Sequence, residues 1–237
     1  QNGSLDGWDG SSPNAATDSK FWDTSNEGAK MGGLTPTQAV TDFVHTQGGK
    51  AAKLESGKVD LMGGIFAAAS LYTGSFGSTN IWTQTATVNF GQSFTARPIA
   101  LKGFYKYTSN VINLVKNVPA GVTIVKDQTL DQCAIYIALA KKTYTIDNGN
   151  QSTFIDFKND ENIIAYGELP SGAATEGDGY VEFNIPLKYK NLTDQPTHII
   201  VVCSSSKYGD YMTGGAGSTL YVDDLSLIYD GTPTIWE

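Results

Sequence analysis

Eight runs of this chain read as strands, most of them alternating apolar residues with polar or small ones and one, His198 to Ser205, a continuous β-branched stretch, and the three-to-four-residue spacing of an amphipathic helix is nearly absent. An extended chain sends successive side chains to opposite faces, so runs of this kind bury one face of a strand and leave the other free. They are Lys50 to Glu55, Trp82 to Phe94, Pro98 to Thr108, Gln132 to Lys142, Asn162 to Leu169, Tyr180 to Tyr189, His198 to Ser205 and Thr219 to Tyr229, parted by Gly, Asn, Asp and Pro. They predict an all-β protein of two packed antiparallel sheets. A propeller would show a blade repeat, and none is found. One short helix is predicted over Thr37 to Val44, with Thr35-Pro36 placed to start it.

The chain has 237 residues, 40% of them hydrophobic, enough to fill a sizeable core. Sandwiches of up to about 250 residues form single units. Nothing marks an internal boundary beyond a polar entry segment over residues 1–20, so residues 1–237 read as one domain. A net charge of -8 without any Lys/Arg cluster excludes a nucleic-acid backbone as partner and leaves neutral glycans compatible. The longest aliphatic run, Ile199 to Cys203, falls far short of the about 20 apolar residues of a membrane span. A start at Gln1, with neither Met nor a charged-then-apolar leader, reads as a mature or trimmed chain. The triplets beginning at Asn2, Asn150 and Asn191 fit glycan acceptors, which matter only in a eukaryotic secretory pathway. Cys133 and Cys203 sit in apolar strands as buried free thiols, a single disulfide being the alternative. His45 and His198 have no zinc-ligand spacing around them.

Phase assigns faces. Cys133, Ile135, Ile137 and Leu139 point inward, leaving Ala134, Tyr136 and Ala138 to form a shallow groove or to be covered by another segment. Val181, Phe183, Ile185 and Leu187 also point inward, with Tyr180, Glu182 and Asn184 opposite. If residues 170–178 form a hairpin, Tyr166 and Glu168 join that second face. Two carboxylates flanked by tyrosines suit a glycosidase, whose pair stands about 5–5.5 Å apart when retaining and about 6.5–9.5 Å when inverting. They equally suit an ordinary solvated acidic face. Tyr105 and Tyr107 share phase with Leu101 and belong to the core, whereas Phe104 lies with Lys102 and Lys106. Leu220 and Val222 are out of phase with Leu225 and Leu227, which demands a bulge at Asp223-Asp224.

Lys207 to Ser218, between the last two long strands, combines rings, hydrogen-bonding groups and glycines that permit close backbone approach. Sugars stack their C–H faces on rings and bond their hydroxyls to carboxylates and amides, so Tyr208, Asp210 and Tyr211 are the leading carbohydrate contacts. Trp22, among Asp23, Ser25 and Asn26, and Trp82, after a Gly/Ser/Thr-rich stretch, follow. Packing of this loop onto the sandwich edge is the competing expectation. No compelling catalytic set emerges; Glu168, Glu182 and Asp210 are the acid candidates.

Phe21 to Asn26, Arg97 to Tyr107 and Ser204 to Asp224 together resemble the putative carbohydrate metabolism domain of Bacteroidetes, over nearly the whole chain. The resemblance implies a secreted jelly-roll β-sandwich like that of carbohydrate-binding modules, in the periplasm or at the outer-membrane surface, with a polysaccharide or oligosaccharide partner. It carries over no catalytic residue. The last strand also resembles that of carbohydrate-binding jelly rolls, where an acid helps hold a structural Ca²⁺ within about 6–8 oxygen ligands. Asp223 with Asp6 or Asp9 is the corresponding set here, a metal-free bulge being the alternative; no cofactor is required. Three functions follow in order: a glycan-binding module, a glycoside hydrolase, and a structural or adhesion domain that binds protein.

Overall fold

The computed structural model describes residues 1–16, 19–60 and 64–236. Its strands are β1 (Trp22–Thr24), β2 (Thr37–Val40), β3 (Ala51–Glu55), β4 (Gly57–Val59), β5 (Ile65–Ala67), β6 (Ser70–Asn80), β7 (Thr85–Phe90), β8 (Gln92–Ser93), β9 (Ala100–Thr108), β10 (Ala134–Ala140), β11 (Tyr144–Asp147), β12 (Ile163–Glu168), β13 (Val181–Pro186), β14 (Lys188–Tyr189), β15 (His198–Ser204), β16 (Thr219–Ile228) and β17 (Thr234–Ile235). The large sheet runs β11-β7-β6-β15-β10-β12-β14-β17, with β1 added on β6 and β8 on β15. The second runs β13-β9-β16-β3-β2, and β4 pairs with β5 as a separate ribbon. Among the described residues only the β14–β17 pairing is parallel. The protein is therefore an antiparallel jelly-roll sandwich.

The alternation places the core. Ile135, Ile137 and Leu139 of β10 and Ile199, Val201 and Cys203 of β15 meet Leu54, Leu101, Tyr107, Phe183 and Leu220 from the second sheet. Both cysteines are buried and free, and burial pushes the Cys133 thiol up to about 12. Tyr107 is buried with its hydroxyl donating to the Ser205 carbonyl, and Tyr105 packs against the same core. The other face of the large sheet carries its own apolar cluster, in which Phe154, Ile155 and Phe157 pack near Tyr136 and Ala138.

Three expectations are corrected. Thr37–Val40 is a strand and not a helix: it pairs with Leu54 to Ala51, and the Thr37 hydroxyl donates to the Ser70 carbonyl. The short helix present is Asn26–Ala29. Residues 170–178 cross between sheets and make no hairpin. Gly172 accepts from the Cys133 N–H beside β10, and Thr175 donates its N–H to the Tyr107 carbonyl on β9. The run from Tyr180 to Tyr189 splits at buried Leu187, with β13 in the second sheet and β14 in the first; Val181, at its outer end, is exposed. The bulge at Asp223-Asp224 is present as a register shift between Asp223 and Ser226, with Asp224 at φ 50°.

Candidate functional site

The second face of the large sheet is covered in part, by Phe154, Ile155 and Phe157. Over β7, β6, β15 and β10 it floors a cleft of about 290 Å³. Tyr72, Phe76, Val88, Tyr136 and Val202 contribute apolar floor. Asn80, Gln84 and Thr85, at the β6–β7 turn, and Asn148, after β11, line one side with amides and a hydroxyl. Ile65 and Phe66 of the small ribbon line another, and Ser204, Lys207 and Asp210 bring hydroxyl, ammonium and carboxyl groups to the end of β15. Asp210 is the only carboxylate among these lining residues.

Asp210 lies in a single 3-10 turn, Gly209–Tyr211, seated so close that a Cβ on Gly209 would fall 2.5 Å from the Ala68 Cβ. A buried acid behind it fixes the loop. Asp131, 1% exposed, accepts from the Ser206 hydroxyl at 2.5 Å and the Gly215 N–H at 2.7 Å, which ties together the two ends of the segment bearing Asp210. Thr213 accepts from the Lys116 N–H and donates to the Asn117 carbonyl, adding a second anchor. The loop packs on the sandwich edge and also presents one acid to the cleft.

Asp210 is exposed at the cleft mouth, and the apolar walls around it push its carboxyl upward, to about 6. The side chain keeps solvent contact through the mouth, so water screens part of this effect, and the upward direction follows from the apolar lining. Burial raises the Tyr136 phenol, with the Asp210 charge adding to it; in Tyr72 burial acts first, then Asp23, then Asp210. The acid and the two tyrosines thus share one electrostatic environment. Tyr208 and Tyr211 are half-buried, and the Tyr211 ring meets Phe154 edge to face at 5.0 Å.

The other expected residues scatter. Trp82 projects from the β6–β7 turn, 87% exposed, next to the cleft-lining Ile81. Trp22 is 3% exposed within the sandwich core, its indole N–H donating to the Gln1 carbonyl, and it offers no ring to a ligand. The sheet crossover separates the proposed acid pair. Glu168 lies opposite Tyr136 on the cleft-bearing face of the large sheet, whereas Glu182 is on the outside of the second sheet, paired to Lys102 at 2.9 Å. Tyr180 is on that outer side as well, stacked on Phe43 at 4.8 Å.

Asp223 is 2% exposed and accepts the N–H groups of His45 and Asp224. Asp224 bonds the His45 ring at 2.7 Å and the Thr46 hydroxyl at 2.6 Å. Asp6 accepts the Lys50 N–H, and Asp9 the Ser12 hydroxyl. Among the described residues no three His, Cys, Asp or Glu side chains gather for a metal. A carboxylate facing N–H donors does not fit the oxygen cage that Ca²⁺ takes.

Tyr72 and Phe76 escaped the sequence reading because β6, Ser70–Asn80, is diluted with Gly, Ser and Thr. The surviving signal is the even phase of Tyr72, Gly74 and Phe76 against inward Leu71 and Thr73.

Among curated proteins none matches this chain. A solved structure described as a putative glycoside hydrolase from Bacteroides thetaiotaomicron is similar at 24% identity and a TM-score of 0.66, covering 89% of this chain and 63% of its own, so this chain spans less than two thirds of that protein. A second, a putative glycoside hydrolase from Bacteroides vulgatus, is 25% identical with a TM-score of 0.66 over 91% of this chain and 88% of its own. The family model described as a putative carbohydrate metabolism domain matches residues 6–228, nearly the whole sandwich from entry segment to last long strand, and the chain belongs to that family.

Proposed function

We propose that this chain is an exported glycan-binding domain whose ligand lies in the cleft over the large sheet. The observation that carries this is the lining: rings and aliphatic side chains on the floor, amides and hydroxyls at the side, and a single carboxyl, Asp210. That division suits a sugar, which offers C–H faces to rings and hydroxyls to polar groups. Two-carboxylate hydrolysis finds less support, since Glu168 is not among the lining residues and Glu182 belongs to the other sheet. Among the described residues no helix is long and apolar enough to cross a membrane.

The test is a glycan array run beside a reducing-sugar assay on the same polysaccharides. Retention without sugar release is expected. Tyr136→Ala or Asp210→Asn should weaken retention by about tenfold or more, the loss of a stacking face or a charge-assisted hydrogen bond.

One observation favours a second reading. A carboxyl raised towards 6 is suited to donate a proton near neutrality. Sugar release by the wild-type protein that disappears in Asp210→Asn would replace the binding module with a hydrolase.

A further inference from the structure

A groove across the face of a sheet admits the middle of a polysaccharide when both ends are open. Here the segment between β11 and β12 lies against that face. It begins with the Asn148 N–H donating to the Ala86 carbonyl and ends with the Lys141 N–H donating to the Asn162 carbonyl. Between these points Phe154, Ile155 and Phe157 pack on the sheet's second cluster. The Phe154 ring then meets Tyr211, the neighbour of Asp210, at 5.0 Å. This contact joins the β11–β12 segment to the turn that carries Asp210. Tyr136 lines the cleft near Asp210 and also contacts Phe157 at 5.3 Å and Tyr166 at 6.1 Å. Beyond it, Tyr166 is capped by Phe157, stacked at 4.3 Å, and by Trp236 at 6.0 Å. The continuation of the face towards Glu168 is thus filled by protein rings.

Size agrees with this blockage. At about 290 Å³ the cleft lies at the small end of ligand sites, which run to about 300–1,000 Å³ for drug-sized molecules.

From these contacts we infer that the cleft is one-ended and takes the terminal one or two sugar units of a glycan, the Phe154–Tyr211 contact blocking passage of a continuous chain. The inference rests on the glycan-binding reading above. The terminal ring lies over Tyr136 with its hydroxyls towards Asp210 and Lys207, and the rest of the glycan leaves by the mouth beside the β6–β7 turn.

Calorimetric titration of the intact chain with size-fractionated β-1,4-gluco-, β-1,4-xylo-, β-1,4-galacto- and α-1,4-gluco-oligosaccharides, from one unit to six, tests it. For the series that binds, affinity should level off after the second unit, changing by less than about threefold thereafter. Phe154→Ala should then raise the ratio of hexasaccharide to disaccharide affinity. An affinity in the wild-type protein that climbs with every added unit to the sixth would overturn one-ended recognition while leaving glycan binding intact. Absence of binding to all four series would overturn the glycan-binding reading and this inference with it. The wild-type series decides the matter even if the variant fails to fold.

Discussion

Asp210 and the two tryptophans show how a residue's surroundings, more than its neighbours in sequence, decide its role. Because the folded Asp210 pKa of about 6 lies above the ordinary 3.8, the native state holds the proton more tightly than the unfolded chain. The sign is therefore destabilising with rising pH: wild-type stability falls relative to Asp210→Asn between about pH 4 and 6, and the difference is constant above. Melting curves of both proteins across that range check the direction. Trp82 was legible from its Gly/Ser/Thr-rich approach, and Trp82→Ala should move stability by no more than about 0.5 kcal/mol. Polar neighbours do not expose Trp22. Asp23, Thr24 and Asn26 are all buried, and they satisfy local backbone, as when Asn26 accepts the Thr37 N–H and donates to the Thr37 carbonyl. Trp22→Ala is expected to cost about 3–5 kcal/mol by chemical denaturation, the usual result of emptying a core site of this size.

At the level of elements, strands that bury one side were visible and those defined by tertiary partners were not. β9, β10, β15 and β16 follow their alternating runs closely. β2 lost its helical expectation to pairing with β3, an instance of tertiary context overriding local preference. Glycine-rich connections around 172 looked like turn chemistry, yet Gly172 is buried because a Cβ there would fall 2.0 Å from the Cys133 carbonyl oxygen. A close approach and a tight turn leave the same letter in a sequence. The Asp210 loop depended on another hidden partner, Asp131, which lies three residues before β10 and carried no motif. Asp131→Ala strands the Ser206 hydroxyl and the Gly215 N–H without their acceptor, and should lower stability by about 3 kcal/mol or more. Hydrogen exchange should quicken across residues 206–218 in that variant; unchanged protection there would remove Asp131 from its anchoring role.

Across the whole molecule, two packed antiparallel sheets were legible in the phase of the strands, apolar at every second residue of the inner faces, while the jelly roll followed from the family resemblance. The cleft was not, since its floor comes from four strands and its walls from connections whose meeting no local pattern records. The chain's first residues illustrate the same long reach. Leu5 is fully buried in the core, and Gly3 accepts the Leu225 N–H at 2.7 Å. Leu5→Ala should therefore destabilise by about 2–5 kcal/mol despite its place in a polar entry segment. Thermal or urea unfolding would detect it. Because the contacts of Leu5 and Gly3 wait for Leu225, native structure cannot close until both ends of the sandwich are present. The closure entropy is met before the contacts reward it, so folding belongs to the slow regime of about milliseconds to seconds typical of non-local β topologies.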